Sequence, residues 1–168
     1  MSNTGPEAWK SSDLAKTYLE GVRMGIPLAE EQIALMLRLA AARDEPVSSF
    51  LDLGCGNGIL ASALLDSYPE ARGVLVDFST PMLDAARQAL STRDARLTFA
   101  ELDYGDPSWS ESVAQHGPFD VVVSGFSIHH QTDVRKRGLY REIFELLGPD
   151  GLFVNIEHVA SPNAWVRE

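Results

Sequence analysis

The chain has one cysteine and four histidines among 168 residues, and no uninterrupted apolar stretch near the roughly 20 residues of a membrane span. Cys55 alone excludes an internal disulfide, and by itself it cannot make a zinc site; no metal is expected. Positive charge is scarce: 14 Lys and Arg against 24 Asp and Glu leave −10. A surface that negative repels polyanions, so nucleic acid and anionic membranes are disfavoured as partners unless a local basic patch works against the average. The segment Met1–Lys10 lacks the basic-then-apolar layout of a signal peptide, and the expected compartment is the cytoplasm. What is present is ordinary for a globular core: 45% apolar and 23% charged residues in a length suited to one domain.

Residues 1–12 are small and polar without apolar period and are read as a tail. Two cap helices are expected over 13–45. One runs from Asp13 to Met24; the other follows Pro27, with Glu30 and Glu31 where a helix dipole favours carboxylates and Ile33, Met36, Leu37, Ala40 and Ala41 on one face. From 46 to 168 the rhythm changes. Strands are predicted at Ser49–Leu53, Gly73–Val76, Arg96–Ala100, Phe119–Ser124 and Gly151–Ile156, alternating with helices at Ile59–Ser67, Pro81–Leu90, Ser108–Gln115 and Val134–Leu147. This alternation predicts an α/β domain built on a doubly wound, Rossmann-like sheet of five parallel strands in the order 3-2-1-4-5. Runs such as Val121-Val122-Val123 are apolar throughout, as expected of strands covered on both faces.

The segment Phe50-Leu51-Asp52-Leu53-Gly54-Cys55-Gly56-Asn57-Gly58 is a strand running into a glycine-rich turn and a helix. Glycines at alternate positions let the backbone take positive φ and approach a ligand closely. A dinucleotide G-x-G-x-x-G pattern needs glycine where Ile59 stands, and a phosphate-binding Walker loop needs a lysine that is absent, so the turn suits neither. Three more features end parallel strands, where open α/β sheets bind ligands: Asp77; Glu101-Leu102-Asp103-Tyr104; and Ser124 with the following Gly125-Phe126-Ser127-Ile128-His129-His130.

These four motifs in this order, over residues 15–160, resemble the class I S-adenosylmethionine-dependent methyltransferases of the small-molecule type. The resemblance implies S-adenosyl-L-methionine as cofactor, S-adenosyl-L-homocysteine as its product and a small molecule as methyl acceptor. It implies that Asp52, Gly54, Cys55 and Gly56 meet the methionine part, Asp77 the ribose hydroxyls and Phe78 the adenine face. Leu102, Asp103 and Tyr104 would bracket the adenine, and Ser124 would lie beside the methionine part. Arg23 or Tyr18 is a candidate for the methionine carboxylate. His129 and His130 are the candidate catalytic residues, with pocket lining the plainer role for both, and Glu157-His158 faces the same rim. Cys55, without a neighbouring base, is read as packing rather than as a nucleophile. The run Arg135-Lys136-Arg137 with Arg141 is read as a solvated helix face.

In this family the sheet continues beyond the fifth strand, whereas only Val159–Glu168 follow it here. The edge of Gly151–Ile156 is therefore expected to be left open, with the chain a fragment or the edge covered by another subunit, as in a homodimer. In-line methyl transfer is governed by placement, with reacting atoms about 3–3.5 Å apart. A base, from His129, His130 or His158, matters only when the acceptor must lose a proton. Three alternatives stand beside this reading: a nicotinamide oxidoreductase, a tRNA wobble-uridine modifying enzyme of the same fold, and a cofactor-binding module without turnover.

Overall fold

The computed structural model describes residues 28–157 and 159. The tail, the first cap helix with Tyr18 and Arg23, Pro27 and His158 lie outside the described residues. The elements are α1 (Ala29–Ala41), β1 (Ser49–Leu53), α2 (Ile59–Ser67), β2 (Arg72–Asp77), α3 (Thr80–Ala89), β3 (Leu97–Glu101), α4 (Trp109–Ala114), β4 (Phe119–Gly125), α5 (Asp133–Leu146) and β5 (Leu147–Ile156). Short 3₁₀ turns occupy Ser91–Arg96 and Ile128–His130.

All four strand pairings are parallel and the order is β3-β2-β1-β4-β5, the predicted topology. Every residue of β1 is buried, as the unbroken apolar runs require of a central strand with helices on both faces. Alternate strand residues feed two cores. Phe50, Leu75, Val121 and Val123 pack with α1, α2 and α3 on one face; Leu51, Leu53, Val74, Val76 and Val122 pack with α4 and α5 on the other. Each fully buried aliphatic or aromatic side chain of this kind contributes about 1.5–3 kcal/mol relative to exposure.

The element bounds differ from the sequence reading in small, explicable ways. β5 begins at Leu147 rather than Gly151, because Leu147 pairs with Phe119 and packs on the second core while an irregularity between Phe119 and Val121 absorbs the register shift. Arg96 closes a 3₁₀ turn instead of opening β3. Met36 and Ala40 of α1 are buried as expected and Ile33 and Leu37 pack on the same core, but Ala41 is exposed. Arg135 leaves the solvated face expected of its run: its guanidinium pairs with Glu142, and Trp109 Nε1 donates to the same carboxylate at 2.6 Å.

β5 lies at an edge of the sheet, and its residues Gly151–Ile156 are half-buried. No helix among the described residues is long and apolar enough to cross a membrane. The strand order reverses between β1 and β4, and in such sheets the crevice outside the carboxyl ends of those strands is where ligands sit.

Candidate functional site

The glycine turn leaves β1 at this reversal. Gly54, Gly56 and Gly58 have φ of +70°, +54° and +76°, the left-handed region that glycine enters without Cβ strain. Gly54 and Cys55 hang from β2 through N–H bonds to the Val76 carbonyl, at 2.8 and 3.0 Å. A Cβ on Gly54 would stand 1.9 Å from Ser127 Oγ, so this glycine is required by the loop that follows β4. A Cβ on Gly56 would meet nothing within 4 Å. The protein therefore leaves open the space above Gly56 while forcing its backbone into a glycine conformation.

Two buried carboxylates brace the turn from below. Asp52 Oδ2 accepts the N–H of Ala61 at 3.1 Å, in the first turn of α2, whose N-cap residue Gly58 has no side chain to cap with. Asp77 ends β2. Its Oδ2 accepts the Gly56 N–H and its Oδ1 the Ser79 N–H, both at 2.9 Å, so one side chain ties the turn to the start of α3. Burial pushes the Asp77 carboxyl above its ordinary value, against the pull of the Ser79, Gly56 and Phe78 amides. Each oxygen keeps a second lone pair, and a carboxylate in this position is equipped to accept a hydroxyl pair. Burial, then the Asp52 and Asp77 charges, push the Cys55 thiol well up, which keeps it protonated and packed rather than nucleophilic.

The remaining predicted residues gather around the same rim in different states. Phe78 is half-buried beside Asp77, and the Leu102 N–H donates to the Asp77 carbonyl at 3.1 Å. Asp103 is exposed, and its Oδ1 accepts the Gly105 N–H at 2.7 Å within its own turn. Tyr104 is buried, and its hydroxyl shares a 2.6 Å hydrogen bond with Ser127 Oγ. Burial pushes its phenol up. The Tyr104 carbonyl accepts from Arg135 Nε at 2.8 Å, so the Arg135–Glu142 pair holds this loop from behind. Ser124 is fully buried and its hydroxyl donates to the Leu53 carbonyl at 2.8 Å, joining the ends of β4 and β1.

His129 and His130 stand together on the 3₁₀ turn after β4, ring centroids 4.0 Å apart. Glu157 reaches them from the end of β5. Its Oε1 accepts the N–H groups of Ser127 and His129 at 3.0 and 3.1 Å, and its Oε2 meets His129 Nδ1 at 2.7 Å. Burial, then the neighbouring His129, hold His130 below the ordinary imidazole value. Among the described residues no cluster of three or more His, Cys, Asp or Glu could hold a metal ion.

Two residues central to this arrangement carried little signal in the sequence. Ser127 sits against Gly54, bonds Tyr104 and is anchored by Glu157, all contacts across long sequence separations that spacing cannot reveal. Phe126, at φ +52°, makes the sharp turn that brings Ser127 there.

Known proteins are similar to this chain in sequence and fold. A family model described as a methyltransferase domain matches residues 50–151. A demethylmenaquinone methyltransferase from Leptospira interrogans is 32% identical over 117 residues, covering 70% of this chain and 45% of that protein. A ribosomal RNA large subunit methyltransferase G from Shewanella amazonensis is 45% identical over 85 residues, or 49% of this chain and 21% of that one. A solved structure of phospholethanolamine N-methyltransferase 2 from Haemonchus contortus, in complex with phosphomonomethylethanolamine and S-adenosylhomocysteine, superposes with a TM-score of 0.57 at 26% identity, over 76% of this chain and 28% of that one. The chain spans less than half the length of each of these three relatives.

Proposed function

The chain belongs to the class I S-adenosylmethionine-dependent methyltransferases, and from that premise we propose that it binds S-adenosyl-L-methionine at the glycine turn and methylates a small-molecule acceptor. The observation that carries the reading is the pairing of Gly56 and Asp77. The turn is held in a glycine-only conformation by a buried carboxylate while the space above it stays open, a cradle suited to a bulky ligand. The resident S-adenosylhomocysteine of the phospholethanolamine N-methyltransferase supports the choice of ligand.

When bound, S-adenosyl-L-methionine supplies an activated methyl group on a positively charged sulfur. The chain's own residues do the rest. Gly54, Cys55 and Gly56, with Asp52 beneath, shape the turn for the methionine part. Asp77 accepts hydrogen bonds from the ribose hydroxyls with its spare lone pairs. Phe78, Leu102, Asp103 and Tyr104 border the adenine. Ser124 fixes the floor between β1 and β4 beside the methionine part. His129 and His130, on the loop packed against Gly54, meet the acceptor. Proximity and exclusion of water dominate such a transfer.

The relatives of this chain include a demethylmenaquinone methyltransferase and a ribosomal RNA methyltransferase. The charge of −10 favours the small molecule, since a chain that acidic repels a polyanion. Replacing Asp77 with alanine removes two charge-assisted bonds that hold the turn and is expected to weaken S-adenosylhomocysteine binding by about 1–3 kcal/mol. Unchanged affinity in a folded variant would refute the assignment of the ribose and turn to Asp77.

A further inference from the structure

We infer that Arg135 is a positioning residue for the base of the cofactor: through the peptide joining Tyr104 to Gly105 it aims the Asp103 carboxylate at the amino group of adenine. The inference rests on the reading that S-adenosyl-L-methionine binds at this rim, and adds to it the residue that sets the choice of purine.

The exit of β3 is pinned on both sides of Asp103. Ahead of it, the Leu102 N–H donates to the Asp77 carbonyl at 3.1 Å. Behind it, Tyr104 is buried and its hydroxyl is bonded to Ser127 Oγ, so that side chain is fixed in place. What is left to set is the plane of the next peptide. Its carbonyl, that of Tyr104, accepts from Arg135 Nε at 2.8 Å. Its N–H, that of Gly105, donates to Asp103 Oδ1 at 2.7 Å. A trans peptide is planar and points these two groups in opposite directions, so fixing one aims the other. Arg135 thus acts on Asp103 without touching it. With Oδ1 held by its own turn, the exposed carboxylate keeps acceptor capacity for a donor from outside. An ionised carboxylate only accepts: it bonds the amino group of adenine and repels the carbonyl oxygen that hypoxanthine carries at the same position.

The guanidinium serves as a fixed strut because its other nitrogens are committed. Nη1 and Nη2 bond the two oxygens of Glu142, and Glu142 Oε2 also takes Trp109 Nε1 at 2.6 Å. The pair lies mostly out of water, with 12% of the Arg135 side chain and 17% of the Glu142 side chain exposed. Two glycines give this relay its room. A Cβ on Gly138, inside α5, would stand 3.0 Å from Arg135 Nη1, and one on Gly105 would stand 2.8 Å from Asp103 Oδ1. Glycine weakens a helix interior, and the guanidinium packed against Gly138 accounts for its presence there.

Arg135→Lys keeps a charge beside Glu142 but loses the fork that also reaches the Tyr104 carbonyl. The double variant R135M/E142Q removes both charges while its glutamine oxygen still accepts from Trp109, and it serves if R135K does not fold. Calorimetry on the whole chain compares S-adenosylhomocysteine with S-inosylhomocysteine, which differs from it only in carrying hypoxanthine. Wild type is expected to prefer the adenine form about 10–100-fold, the scale of one hydrogen bond to a charged group, and the variants no more than about three-fold. Affinity for the inosine form stays within about two-fold throughout, because that ligand gains nothing from an aimed Asp103. A role confined to stability would weaken both ligands together and keep their ratio. In the ligand-free chain the Gly105 amide proton, downfield in wild type through its bond to Asp103, is expected to move upfield in the variants. A preference retained in a folded variant overturns the proposal, and so does a wild type that binds both ligands alike, or a Gly105 amide that the substitution leaves unmoved. A wild type that binds neither ligand, alongside the expected Gly105 shift, would instead remove the cofactor reading and leave the relay from Arg135 to Asp103 standing.

Discussion

Replacing Gly56 with alanine separates what the turn needs from what its ligand needs. At φ +54° a Cβ costs about 1–2 kcal/mol of backbone strain. The alanine also restricts the unfolded chain, which returns about 0.4–1 kcal/mol. The net cost is about 1 kcal/mol, because the new Cβ meets no heavy atom within 4 Å. For a chain of this size that is a fall of about 2–4 °C in Tm. If the cofactor occupies the open space, the same methyl group intrudes on it, and crowding of that kind costs about 1–3 kcal/mol. The expected affinity loss for S-adenosylhomocysteine is then about 5–150-fold. Gly54→Ala is the contrasting control: its Cβ would lie 1.9 Å from Ser127 Oγ, so it should lose stability before binding is tested. Thermal melts and calorimetric titration read both quantities. A G56A protein that melts slightly lower yet binds within two-fold of wild type would refute the placement of the ligand over Gly56.

Other outcomes follow from the same structure. Burial alone would raise the Asp120 carboxyl, but the Ser48 hydroxyl, the Ser48 and Ser49 amides and the Arg43 guanidinium outweigh it and hold it below its ordinary value of 3.8. Its contribution is therefore present above about pH 3.8 and lost as pH falls through the depressed value. Asp120→Asn should cost about 2 kcal/mol at pH 7 and flatten the acid limb of a stability–pH profile; an unaltered limb counts against that role. Glu142→Ala leaves Arg135 and Trp109 Nε1 without their shared acceptor and should cost about 3 kcal/mol in urea denaturation, where a loss below 1 kcal/mol would show the pair to be incidental. If a second copy covers the β5 edge, light scattering will give a dimer, and a monomer retires that arrangement.

The fold was legible because its signals are local and repeated. The apolar runs at Ser49–Leu53 and Phe119–Ser124, and the amphipathic stretches between them, each declare their own element. The glycine turn was legible for the same reason, since the order strand, Gly54, Gly56, Gly58, helix is contiguous. Bounds failed where a tertiary contact decided them, as when pairing with Phe119 draws Leu147 into β5. The site was readable as a set of strand ends but not as a set of bonds. Nothing in the sequence tells that Asp77 reaches Gly56, that Ser124 is committed to Leu53, or that Arg135 is drawn inward by Glu142 and Trp109. Ser127 and Glu157 acquire their importance only when β4 and β5 lie side by side and bring residues 30 positions apart into contact.

Calorimetric titration of the wild-type chain with S-adenosylhomocysteine, with NAD in a parallel cell, decides whether the glycine turn holds that cofactor. Micromolar binding of S-adenosylhomocysteine is expected and no binding of NAD, whose fingerprint lacks its third glycine at Ile59. A folded sample that ignores S-adenosylhomocysteine, or prefers NAD, would contradict it.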